Sequence, residues 1–139
     1  MYEDFKINIR LKLSALWTSV MFCYIYGDYF ELYLPRKVEG LLSGHNLLNS
    51  PMKLFAAALM LAIPALMISL SLMLKPNLCR LLNIIFGIFF SVLMLLIATL
   101  SLTQWQIFYV FLAVIESIIT TIIVWRAWSW KKQTGSDFE

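Results

Sequence analysis

Three stretches of the chain are almost empty of charge. None falls between Lys12 and Asp28 or between Lys53 and Lys75, and from Leu81 to Trp125 only Glu116 is charged. A helix needs about 20 apolar residues, at 1.5 Å each, to cross roughly 30 Å of hydrocarbon. Each stretch meets or approaches that length, and the last is about twice what one span needs. Its middle holds the only cluster of amides, TQWQ at 103–106, where a tight hairpin divides it in two. The reading is four helices, approximately 12–34, 54–74, 81–102 and 106–128, in a single membrane domain covering 1–139. Composition agrees: 61% of residues are hydrophobic and 14% charged, against about 45–50% and about 25% in ordinary globular chains. A water-soluble domain is excluded. The expected fold class is all-α, an integral membrane antiparallel four-helix bundle.

Lys and Arg placement sets the expected orientation. Eight of the eleven cations (Lys6, Arg10, Lys12, Lys75, Arg80, Arg126, Lys131, Lys132) fall on one side, and Arg36, Lys37 and Lys53 on the other. The positive-inside rule then predicts both termini in the cytoplasm. The net charge of +3 reflects this asymmetry and does not indicate nucleic-acid binding, for which a basic patch with interleaved aromatics would be needed. The first apolar run ends in bulky aromatics without a small-x-small cleavage site, so the first span is expected to stay in the mature protein. Cys23 falls mid-membrane and Cys79 at the cytoplasmic edge, too far apart for a disulfide.

The run FKINIRLKL (5–13) alternates apolar and polar residues as a strand would. An open strand entering a bilayer would leave backbone groups unpaired, so an interfacial segment able to turn helical is expected instead. The outer loop, 35–53, starts at Pro35, and Val38, Leu41 and Leu42 suggest a short surface helix within it. Residues 132–139 are expected to be a disordered tail. Small residues mark where membrane helices meet. They recur as Ala15, Ser19, Cys23 and Gly27; as Ala58, Ala62, Ala65 and Ser69; as Asn83, Gly87 and Ser91; and as Ala113, Ser117 and Thr121. These four stripes are expected to face inward.

Glu116 is the leading candidate for chemistry. It lies about 14 Å below the outer end of the fourth helix, close to the midplane and in phase with Ala113 and Thr120. An ionised carboxylate there costs several kcal/mol, and no Lys, Arg or His shares its depth on any helix, so the neutral, hydrogen-bond-donating acid is the expected form. Pro64 lies at nearly the same depth on the second helix and frees the Met60 carbonyl. Glu116 is expected to face this kink and cap Met60, directly or through water. Its role is open among interhelical glue, a ligand or proton site, and an oligomer contact. Near the outer end, Tyr24, Asp28 and Glu31 stack at i, i+4, i+7. Tyr24 and Asp28 are read as a vestibule leading to Glu116, against the plainer reading of an aromatic belt.

Other candidates are weak. His45 is the only histidine and cannot by itself supply bis-histidine haem ligation or a two-histidine metal site. Ser43 beside it lacks a nucleophile-elbow context. Asn83 is expected to make an interhelical hydrogen bond. WRAWSW (125–130), with Lys131 and Lys132, reads as an interfacial anchor. No metal or cofactor is expected.

The segments KLSALW (12–17), YIYGD (24–28), IPALMISLS (63–71) and RLLNIIFG (80–87) resemble a bacterial family of four-span membrane proteins of unknown function, over roughly residues 10–130. The resemblance implies the same architecture and places Asp28, Pro64 and Asn83 in its motifs, but it implies no activity. In topology alone the chain is also similar to DoxX-like proteins and to the sterol-isomerase group. The paired-acid site of the latter would need a second deep acid beside Glu116. The expectation is a multi-pass protein of the bacterial inner membrane, in contact with lipids and homo-oligomeric. It is read as non-enzymatic, binding or transporting a small lipophilic or cationic molecule near Glu116. Two alternatives stand: an isomerase-type enzyme using Glu116 and Asp28, and a structural or partner-binding subunit.

Overall fold

The protein is described by a computed structural model covering residues 2–132. Among the described residues it is all helical, without a strand. Helix α1 spans Ile9–Glu31 and starts where extended Asn8 accepts a hydrogen bond from the Arg10 amide (2.9 Å), satisfying one of the orphan donors of the first turn. The six-residue α2 spans Lys37–Leu42 in the loop, where the short surface helix was expected. Helix α3 spans Pro51–Met73, capped by the Ser50 hydroxyl on the Lys53 amide (3.3 Å). Helix α4 spans Pro76–Leu100. A 3₁₀ turn at Gln104–Gln106 leads into α5, Ile107–Trp128.

These boundaries differ from the sequence reading in a consistent way. Helices α3 and α4 begin on Pro51 and Pro76, not several residues later, because a proline at the first helical position lacks an N–H that would go unbonded anyway. Helix α1 is shifted three residues toward the N-terminus at both ends, which leaves 2–8 without regular structure. Residues 133–139 of the expected disordered tail lie outside the described part. Three helical segments are long and apolar enough to cross a membrane: Pro51–Met73, Pro76–Leu100 and Gln104–Trp128. Helix α1 matches them in length at 23 residues, but Ser14, Trp17, Thr18, Ser19, Tyr24, Tyr26 and Asp28 dilute its hydropathy.

Helix α1 runs antiparallel to α3 and α5, as α4 does to α3 and α5, whereas α1 meets α4 in parallel, Trp17 beside Asn83 and Tyr24 beside Phe90. The start of α1 binds the end of α3, through Ser14 Oγ on the Ile68 carbonyl (2.8 Å) and Arg10 on the Leu72 carbonyl (3.4 Å). The start of α4 binds the end of α5, where the Arg80 guanidinium donates to the Ala127 and Trp128 carbonyls (3.0 and 3.2 Å). That is the favourable place for a cation, at the negative pole of a helix with unpaired carbonyls. Helix α4 packs most extensively on α5, α1 packs on both α5 and α3, and α3 touches α4 only lightly.

The core corrects the expected helix faces. On α4 and α5 the small residues do point inward: Asn83, Gly87, Ala113 and Ser117 are buried. A Cβ on Gly87 would sit 2.6 Å from Val124 Cγ2, so the α4–α5 approach depends on glycine there. Thr121 is exposed, and Thr120 is buried in its place. On α1 the expectation holds for Gly27, which is buried, and otherwise fails, as it does on α3. Ala15, Ser19, Ala58, Ala65 and Ser69 are exposed, whereas Leu13, Trp17, Val20 and Tyr24 of α1, with Pro64, Met67 and Ser71 of α3, face the interior. Large aromatics with a polar atom belong inside when that atom has a protein partner. Trp17 has one: its Nε1–H donates to Asn83 Oδ1 (2.8 Å). The Asn83 amide nitrogen donates in turn to the Cys79 carbonyl (2.8 Å) and Ser71 Oγ (3.3 Å). One asparagine thus ties α1, α3 and α4 together, as the interhelical bond expected of it. Above it, Phe90 packs edge-on to Trp17 and tilted against Tyr24, both with ring centroids 6.1 Å away.

Candidate functional site

The buried residues of α5 are Ala113, Glu116, Ser117, Thr120, Ile123 and Ala127, at the i, i+3, i+4, i+7 spacing of one helical face. That spacing brings the carboxylate of an otherwise apolar helix into the interior, where Glu116 is 4% exposed. It stands near the middle of α5, about 14 Å from Ile107. The hydroxyls around it are engaged with backbone. Ser117 donates to the Ala113 carbonyl (2.8 Å) and Thr120 to the Glu116 carbonyl (2.9 Å), while Ser91 of α4 meets Thr120 Oγ1 at 2.6 Å. Thr120, expected to line the site, is therefore occupied in holding α4 to α5. The Glu116 carboxyl itself makes no hydrogen bond or ion pair among the described residues; their one ion pair joins Lys37 to Glu31.

Across the α1–α5 interface lies Tyr24, 7% exposed, whose hydroxyl oxygen is buried and has no hydrogen-bond partner among the described residues. Its ring packs tilted against Phe90 of α4. One turn further along α1, a Cβ on Gly27 would be 3.6 Å from the Tyr109 and Leu112 side chains of α5, an ordinary packing contact between the two helices. The candidate site comprises two buried polar residues on helices packed against each other, Glu116 on α5 and Tyr24 on α1, with Phe90 against the Tyr24 ring.

The structure separates residues that the sequence had grouped. Tyr24 is buried, Asp28 is exposed, and Glu31 pairs with Lys37. Because α1 ends at Glu31, Asp28 lies only about 4–5 Å from the helix end, shallower than the reading of a helix running to 34 had placed it. Pro64 is fully buried, and Met60 half-buried. No hydrogen bond joins Glu116 to the Met60 carbonyl among the described residues. The reason is helix arrangement: α3 is held against α1 by Ser14 and Arg10, while Glu116 is carried by α5, which packs on α4 and α1. Trp17, Phe90 and Tyr109 were not singled out. The signal for Trp17 was available in Leu13, Trp17, Val20 and Tyr24, whose spacing puts them on one face. Among the described residues no group of three or more His, Cys, Asp or Glu could hold a metal ion, and Cys23 and Cys79 are free thiols.

The model of a family of unknown function, DUF6326, matches residues 2–136. The chain belongs to that family. No curated protein and no solved structure matches it. Membership of DUF6326 carries no activity with it, so the chemistry of this member has to be argued from the α1–α5 interface.

Proposed function

We propose that this DUF6326 protein is a non-enzymatic integral membrane protein that binds a small lipophilic or cationic molecule at Glu116. One observation carries the reading: a buried carboxyl group with no hydrogen-bond or cationic partner among the described residues. Buried charged or polar side chains are ordinarily satisfied, and within membranes such acids mark ligand or ion pathways. In this reading α1 is a fourth span completing an antiparallel four-helix bundle, with both termini in the cytoplasm and the bundle in the bacterial inner membrane. The bundle assembles as a homo-oligomer. Asp28 marks the outer mouth, and the α1–α5 seam is the route inward. Passage of the bound molecule across the membrane would make the protein a transporter.

Native mass spectrometry of detergent-purified wild type beside Glu116→Gln tests the site. A non-lipid mass is expected on the wild type and absent from the variant. If both carry the same adducts, the acid is interhelical glue and the protein a structural subunit. The span count has its own test. Single cysteines at positions 5 and 45, in a background lacking Cys23 and Cys79, should be labelled by a membrane-impermeant thiol reagent only at position 45 in intact cells. Labelling at both positions would remove α1 as a span.

A further inference from the structure

We propose that the loop between α1 and α3 carries a second binding site, independent of Glu116, for the phosphate group of an anionic phospholipid. An open cleft of about 640 Å³ lies in this loop, and its polar lining is Arg36, Lys37, His45, Asn46 and Asn49, with no acid. That volume falls in the range of small-molecule sites, roughly 300–1,000 Å³. Lys37 is paired with Glu31, whereas Arg36 has no ion-pair partner among the described residues. The amides and the imidazole present donors as well. Asn49 Oδ1 already accepts from Lys53 Nζ (2.8 Å), which leaves the Asn49 NH2 group to donate. Asn46 Oδ1 is buried without a hydrogen-bond partner, so the NH2 end of that amide is the one left for a ligand. Ser43 donates its hydroxyl proton to the Glu39 carbonyl (2.8 Å), and His45 Nδ1 therefore donates to Ser43 Oγ (3.2 Å), leaving Nε2 open.

The backbone holds this cleft in shape. Arg36 is the one non-glycine residue with a positive φ among the described residues (62°), a conformation in which glycine or asparagine would be relaxed and a long side chain is strained. A Cβ on Gly40 would lie 2.9 Å from the His45 carbonyl oxygen, so α2 and the chain that follows it close up only around glycine. Position then selects a lipid as the source of the anion. The loop feeds directly into α3, a helix long and apolar enough to cross a membrane. Tyr26, Tyr29, Phe30 and Tyr33 are exposed at the end of α1, the aromatic signature of the headgroup level. Leu34, Pro35 and Leu47 line the same cleft. Basic donors beside apolar walls suit a phosphate diester followed by glycerol and the first methylenes of an acyl chain. A guanidinium matches two phosphate oxygens at once. A choline headgroup would bring a second cation to Arg36, so a lipid of net negative charge is preferred. Free phosphate offers the same oxygens but leaves the apolar wall uncovered.

The test is native mass spectrometry of the full-length protein in detergent, titrated with dioleoyl-phosphatidylglycerol, dioleoyl-phosphatidylcholine or sodium phosphate. Phosphatidylglycerol is expected to bind saturably and about tenfold more tightly than phosphatidylcholine, as one charge-assisted hydrogen bond implies. Sodium phosphate should not displace it. Arg36→Asn should abolish the preference without lowering the thermal midpoint of the lipid-free protein, because asparagine accepts the left-handed backbone. Lys132→Asn removes a cation from the opposite end of the molecule and should leave the preference intact. Equal binding of the two lipids by wild type would overturn the proposal. So would an equal loss of preference in Lys132→Asn, which would make the effect one of diffuse charge. Displacement of phosphatidylglycerol by sodium phosphate would give the cleft to a soluble anion and overturn the lipid assignment. A lowered midpoint in Arg36→Asn with the preference retained would make Arg36 a structural residue of the loop and overturn its role.

Discussion

Gly87→Leu is expected to force α4 and α5 apart and to destabilise the protein by about 3 kcal/mol, the upper part of the range for overpacked interiors. Even the first carbon of a new side chain would lie 2.6 Å from Val124 Cγ2 and 3.4 Å from the Thr120 carbonyl oxygen. Val124 is β-branched and stiff within a helix, so relief has to come from the backbone. Backbone movement would also break the Ser91–Thr120 contact one turn away. Titration with a denaturing detergent, followed by circular dichroism, reads the loss. Gly87→Ala should lose less, and adding Val124→Ala to it should restore most of the stability. A Gly87→Leu protein as stable as wild type would mean that the two helices do not approach this closely.

The second large effect is expected at Asn83. Leucine has nearly the same shape but can make none of the hydrogen bonds, so Asn83→Leu isolates their contribution from packing. Single interhelical hydrogen bonds in membrane proteins average about 0.6 kcal/mol, whereas an orphaned buried donor costs about 1–3 kcal/mol. Asn83→Leu removes bonds to Trp17, Cys79 and Ser71 and orphans the Trp17 N–H. A loss of about 2–3 kcal/mol follows. Trp17→Phe should cost less in the Asn83→Leu background than alone, with a coupling of about 1 kcal/mol in the double-mutant cycle. Additive losses would show that Trp17 and Asn83 do not bond.

How far the sequence carried depended on what kind of force sets each feature. Charge-free length set the long helices, because a helix is defined by the absence of interruptions as much as by its pattern. The inward faces of α4 and α5 were legible because close backbone approach admits only small residues, and Gly87 is the clearest instance. On α1 the same rule found buried Gly27 near the C-terminal end but chose the wrong side in the first half of the helix. Ala15 and Ser19 form a small-residue stripe, but the interior selected Trp17 and Tyr24, whose large side chains carry polar atoms. The row Leu13, Trp17, Val20 and Tyr24 marks a second apolar face of α1, and the Asn83 amide, supplied by α4, accepts from Trp17 and favours that face. Charge-free length started two helices too late, because Pro51 and Pro76 are well placed as first helical residues. Glu116 was legible as an interior residue from helical phase. Its neighbours across the interface were only partly so, because they depend on which helix lies opposite.

The order in which the chain is made gives the Asn83 tie a meaning in time. Trp17 leaves the ribosome 66 residues before the asparagine that receives its N–H, and Ser14 leaves 54 residues before the Ile68 carbonyl. At about 5–20 residues per second, Trp17 waits roughly 3–13 s for its partner. Helix α1, the least apolar of the long helices, is therefore made first and waits for partners on α3 and α4. During that interval its indole N–H and Ser14 hydroxyl need a temporary host, at the lipid headgroups or on the insertion machinery.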